Sequence, residues 1–135
     1  MRSTSTSGFG LSRAPASILV VDDDQTNRQL VAELLRDEGH NVAEAADGQQ
    51  ALDHLKTSRP SAIVLDLMMP VVDGFTFLVE RRKLPGCAGI PVLVLTAVHD
   101  LSELVGTLGV KAAIAKPFEA SALIQTVAEL VAAER

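Results

Sequence analysis

The stretch Ile18-Leu19-Val20-Val21-Asp22-Asp23-Asp24 decides the fold. Four apolar residues without alternation read as a strand covered on both faces, and three carboxylates close it. The same unit recurs along the chain. Apolar runs stand at Asn41-Val42-Ala43, Ala62-Ile63-Val64-Leu65, Pro91-Val92-Leu93-Val94-Leu95 and Ala112-Ala113-Ile114-Ala115. The segments between them have helical period: Leu30, Val31, Leu34 and Leu35 form one stripe, and Leu123, Val127, Leu130 and Val131 another. Gly39 and Pro60 follow the first two helices, and Leu84-Pro85-Gly86 stops the third. Alternating strand and helix implies an α/β fold, a doubly wound parallel sheet with right-handed crossovers and helices on both faces. Five strands in the order 2-1-3-4-5 fit.

The composition agrees. A chain of 135 residues suits one domain, and 47% apolar residues can fill its core. Aromatics are only 3%, so that core is built from Val, Leu, Ile and Ala. Residues 1–16, rich in Ser, Thr, Gly and Arg, read as a disordered tail ahead of a domain spanning 17–135. All 17 acidic residues lie at or after Asp22, against ten basic ones there, a net −7. Such a body has no electrostatic reason to bind nucleic acid and suits a basic partner or one bringing a cation. The single cysteine, Cys87, allows no internal disulfide and fits a reducing, cytoplasmic setting. No apolar run approaches the ~18 residues of a membrane span.

The polar residues gather where the strands end. Strand one runs into Asp22-Asp23-Asp24, strand three into Asp66, strand four into Thr96-Ala97 and strand five into Lys116-Pro117. Strand two ends in nothing comparable, only Glu44 and Asp47. Strand order reverses between strands one and three, and ligands of open parallel sheets sit beyond the carboxyl ends there, a rule drawn partly from sheets of this order. Grouped carboxylates repel one another unless a cation sits among them. Few hard oxygen ligands favour Mg²⁺, with Mn²⁺ as the alternative ion. A carboxylate beside that ion can accept a phosphoryl group, whose charge the ion, a lysine and a threonine hydroxyl would share.

These segments, together with Asp66-Leu67-Met68-Met69-Pro70-Val71-Val72-Asp73-Gly74 and Lys116-Pro117-Phe118, resemble the signatures of response-regulator receiver domains of two-component systems, of the stand-alone type. The likeness covers about Ser17 to Ala133. It implies that Asp66 is the phosphoacceptor. It further implies that Asp22, Asp23, Asp66 and the Met68 carbonyl bind Mg²⁺, Thr96 binds a phosphoryl oxygen and moves on activation, and Lys116 pairs with Asp66 or its phosphate. A cis Lys116-Pro117 bond is implied too. The implied partners are a sensor histidine kinase or a histidine phosphotransfer protein, and a downstream protein. No enzymatic turnover beyond the domain's own phosphotransfer and dephosphorylation is implied.

Three features depart from that family. The position three before Lys116, usually aromatic or His, is Ala113, so the usual threonine–aromatic switch lacks its second half. The stretch from Thr96 to Lys116 is about two residues short, and Gly106 and Gly109 weaken the helix expected within it. Met68 and Val98 flank the path of the hydrolytic water with apolar side chains that cannot orient it, which predicts a long-lived phosphoryl group.

Other features have plainer readings. Asp24 caps the first helix, and Asp73-Gly74 is turn scaffold. His40, His54 and His99 are surface, helix or loop residues, and Cys87 lies in a loop. Arg81-Arg82-Lys83 is a solvated helix end that complements the helix dipole. Two rivals remain at this level. Asp22-Asp23-Asp24-Gln25-Thr26 also resembles the opening of haloacid-dehalogenase-type phosphatases, with Asp22 as nucleophile and Asp24 as acid/base, although no Asp follows Lys116. The chain could also be an interaction module that works without phosphorylation.

Overall fold

The structure, a computed structural model, describes residues 16–67, 74–97, 105–106 and 109–133. In chain order the elements are β1 (Ser17–Val21), α1 (Gln25–Asp37), β2 (Asn41–Ala45), α2 (Gly48–Leu55), β3 (Ala62–Asp66), α3 (Gly74–Arg81), β4 (Val92–Thr96), β5 (Val110–Ala115) and α4 (Ala120–Ala133). The strands form one parallel sheet in the order β2-β1-β3-β4-β5, as the βα alternation predicts. The helix expected between β4 and β5 falls mostly on residues outside the described ones. Of the tail, only Ala16 is described. It is buried, and its carbonyl accepts from the Asn41 N–H at 2.8 Å.

Side chains alternate between two cores, as a pleated strand requires. Leu19, Val21, Ile63, Leu65, Val92 and Val94 point to the face covered by α2 and α3, where Leu55, Phe77 and Leu78 meet them. Ile18, Val20, Val64, Leu93 and Leu95 point to the opposite face, against Val31 and Leu35 of α1 and Leu123, Val127 and Val131 of α4. Burying each such side chain stabilises the fold by roughly 1.5–3 kcal/mol before chain entropy is set against it. The two-sided burial explains why the central runs are apolar without alternation. β2, at the edge, is half-buried and reads weakly in sequence.

Helix ends are fixed locally. The Asp24 side chain accepts from the Asn27 N–H at 3.1 Å and starts α1, as expected. Asp47 does the same for α2 through the Gln50 N–H at 2.8 Å. Gly39, at φ 93°, turns the chain out of α1, with its N–H on the Arg36 carbonyl at 2.9 Å.

Two expectations are corrected. Leu30 belongs to the apolar stripe of α1 by spacing, yet it is 50% exposed. The helix buries its Val31, Ala32 and Leu35 side, and Leu30 is left on the rim of a cleft beside Phe118. Arg81 is not a solvated helix end. It is fully buried, and its Nη1 donates to the carbonyls of Cys87 and Ala88 at 2.9 and 3.2 Å. The chain after α3 folds back over it through the turn bonds Leu84 N–H to Arg81 O and Cys87 N–H to Leu84 O. Burial, then the like charge of Arg82, lower its pKa from the ordinary arginine value. Gly109 packs on the guanidinium so closely that no Cβ fits there. Cys87 sits in that same turn, fully buried.

Candidate functional site

Each strand delivers its polar residue to one edge of the sheet. β1 ends and Asp22 follows, 3% exposed, with its N–H on the Ala45 carbonyl of β2 at 3.1 Å. Asp66 is the last residue of β3, 7% exposed. Thr96 is the last residue of β4 and fully buried. β5 hands the chain to Lys116, whose N–H donates to the Thr96 carbonyl at 2.9 Å, and the Lys116-Pro117 bond is cis as implied.

The side chains converge. Lys116 Nζ lies 3.3 Å from Asp66 Oδ2 and 3.8 Å from Asp22 Oδ2. One carboxylate oxygen from each of Asp22, Asp23 and Asp66 can be chosen so that all lie within 4.8 Å of one another. Asp23 is exposed, so the group opens to solvent on one side. Burial, and after it the charge and hydrogen bond of Asp66, push the Asp22 carboxyl up to about 6. The Asp24 N–H, 2.9 Å from Asp22 Oδ1, and Lys116 pull the other way. Three carboxylates against one ammonium leave negative charge uncompensated. An oxygen-only, part-solvated donor set of this kind fits a small divalent cation that keeps some of its waters.

The loop after Asp66 is closed at its far end. The Gly74 N–H donates to the Leu67 carbonyl at 3.0 Å, and a Cβ on Gly74 would stand 2.5 Å from Leu67 Cα. Gly74 is thus more than a generic turn residue, because only glycine allows that approach. Met68, Val98 and His99 lie outside the described residues, as does Asp73.

Of the expected site residues, the structure brings together Asp22, Asp23, Asp66 and Lys116, with Thr96 at the end of the adjoining strand. Asp24 caps α1 and is not among the carboxylates that the structure groups with Asp66. Ala113, partly buried, packs against the α2/α3-side core. One polar contact escaped the sequence reading. Arg28 Nη1 donates to the Asp22 carbonyl at 2.9 Å, and its Nε pairs with Glu44 at 3.2 Å. Its one legible sign was a cation in the first turn of a helix, where the dipole disfavours it unless acids hold it.

The fold and this acidic edge have counterparts among known proteins. The family model for the response regulator receiver domain matches residues 18–128, and the chain belongs to that family, a signalling domain of two-component systems. Response regulator MprA of Mycobacterium tuberculosis is 43% identical over 110 residues, covering 79% of this chain and 46% of that protein. The probable transcriptional regulator ycf27 of Porphyridium aerugineum is 40% identical over 103 residues, 75% of this chain and 42% of that protein. The chain therefore spans about half the length of the curated relatives it matches. Among solved structures, the Vibrio cholerae chemotaxis protein CheY4 superposes with a TM-score of 0.80 at 33% identity, covering 87% of this chain and 99% of that one. The receiver domain of sensor histidine kinase PA1611 from Pseudomonas aeruginosa, which holds a magnesium ion in its active-site cleft, gives 0.77 at 30% identity, covering 88% and 99%. No helix among the described residues is long and apolar enough to cross a membrane.

Proposed function

We propose that the chain takes a phosphoryl group onto Asp66 in a Mg²⁺-dependent reaction and signals by protein–protein contact. The observation that carries this is the Asp22–Asp23–Asp66 carboxylate group with Lys116 3.3 Å from the acceptor. Asp22, Asp23 and Asp66, with the Met68 carbonyl, would hold the ion; Mn²⁺ has the same ligand preference. When bound, the ion neutralises charge on the transferring group's oxygens. An Asp66 carboxylate oxygen forms the bond to phosphorus, and the bond to the donor, a phosphohistidine of a kinase or phosphotransfer protein, breaks. Lys116 stays beside Asp66 and offsets the added charge. Thr96, buried at the end of β4, would bind a phosphoryl oxygen through its hydroxyl and move as it does so. Beyond that, Ala113 offers no aromatic ring to follow it. The cleft of about 510 Å³ lined by Lys116, Leu30, Leu34, Pro117 and Phe118 offers a protein donor an apolar surface beside Lys116.

The domain performs only its own phosphotransfer and dephosphorylation, in the cytoplasm. Apolar Met68 and Val98 would make the phosphoryl group long-lived. Incubation with Mg²⁺ and a small-molecule phosphodonor, followed by intact-mass measurement over time, tests this. One phosphoryl adduct, lost without Mg²⁺ and in Asp66→Asn, is expected. No adduct with Mg²⁺ demonstrably bound would overturn the reading in favour of a phosphorylation-independent interaction module. Decay within seconds would overturn the lifetime argument alone.

A further inference from the structure

We infer that Arg28, braced by Glu44, is a positioning residue that sets the acid pair for its cation. This rests on the reading of Asp66 as a Mg²⁺-assisted acceptor and goes beyond it. Asp22 must hold its carboxylate toward Asp23 and Asp66, so the chain around it needs firm anchors. Three are visible. The Asp22 N–H is on Ala45 O at 3.1 Å, the Asp24 N–H closes on Asp22 Oδ1 at 2.9 Å, and Arg28 Nη1 holds the Asp22 carbonyl at 2.9 Å. Only the last comes from a side chain outside the acidic run. Arg28 sits in the first turn of α1, where the dipole opposes a cation. Glu44, at the end of β2, offsets that by taking Arg28 Nε on one oxygen and Arg36 Nη2 on the other, both at 3.2 Å. The Arg28 side chain is 14% exposed and the Glu44 side chain 25%, so this pair is less screened than an open surface contact. Arginine's planar fork lets one group bridge a carbonyl and a carboxylate, which a lysine cannot do in fixed geometry. The edge strand that brings no ligand thus supplies the brace for one.

Charge and positioning predict opposite signs, which makes the inference testable. Arg28→Met removes a cation near three carboxylates; by charge alone, Mg²⁺ should bind more tightly. Positioning predicts weaker binding by about tenfold, the lower end for partners that orient metal ligands. The measurement is a calorimetric Mg²⁺ titration of the full chain, with wild type, Arg28→Met, Glu44→Gln, the double variant and Arg36→Met. Arg28→Met and Glu44→Gln should each weaken Mg²⁺ binding, and the double variant should be no worse than Arg28→Met, since both act through one contact. Arg36→Met, which shares Glu44 but does not touch Asp22, should stay within twofold. Adduct formation on Asp66 should recover in Arg28→Met at saturating Mg²⁺. Tighter or equal Mg²⁺ binding by Arg28→Met overturns the inference. Wild-type protein that neither binds Mg²⁺ nor forms an adduct overturns the functional reading itself.

Discussion

Replacing Asp22 by Asn should stabilise the metal-free protein while removing its affinity for Mg²⁺. The Asp22 carboxyl has a pKa of about 6 in the folded chain against 3.8 for the free group, chiefly because it is buried and next because Asp66 is its neighbour. A raised carboxyl pKa means the folded state holds the proton more tightly than the unfolded one. Its favourable contribution is complete below pH 3.8 and is lost as pH rises through about 6. Above that window the charged form destabilises the fold by on the order of 3 kcal/mol, from about 1.4 kcal/mol per tenfold change in proton affinity. Asparagine has no charge to bury, and its side-chain oxygen can still accept from the Asp24 N–H. The advantage of Asp22→Asn should therefore be near zero at pH 4 and grow to on the order of 3 kcal/mol by pH 8, roughly 10 °C in Tm for a domain of this size. Urea unfolding in chelator, across that pH range, measures it. Mg²⁺ at ten times its Kd should return about 1.4 kcal/mol to the wild type and nothing to the variant. A stability difference independent of pH, or a wild type more stable than the variant at pH 8 without metal, would refute the reasoning.

Lys116→Met should keep the fold but slow adduct formation on Asp66 about a hundredfold, the usual effect of losing one charge-stabilising donor, as read by intact mass. Gly109→Ala should destabilise by roughly 3 kcal/mol or more in urea unfolding, since a Cβ at φ 83° is strained and also displaces Arg81 from the carbonyls it holds. Gly74→Ala should destabilise similarly and slow phosphorylation too, because its Cβ would push against Leu67, the residue after Asp66. Cys87, fully buried, should resist a thiol reagent in native protein and react at once in denaturant; fast native labelling would contradict the turn packing around Arg81.

The sequence by itself determined the sheet. Runs such as Ile63-Val64-Leu65 and Val92-Leu93-Val94-Leu95 are buried on both faces, and their alternation with helical segments asks for a central parallel sheet. Their polar terminators fell in order at strand ends, so Asp22, Asp23, Asp66, Thr96 and Lys116 could be grouped before any coordinates. Tertiary structure alone decided what side chains do across elements. Arg81 looked like one of three solvated cations, yet the turn that follows α3 folds back and gives its guanidinium two carbonyls. Leu30 matched the helical stripe, but the rotation of α1 on the sheet left it at a cleft rim. Glu44 seemed idle because its role is indirect: it acts on Asp22 only through Arg28, sixteen residues earlier in the chain. Local periodicity reports which face of an element is apolar. It carries no information on which neighbour a long charged side chain will reach, because that depends on register and crossover, which only the folded chain supplies.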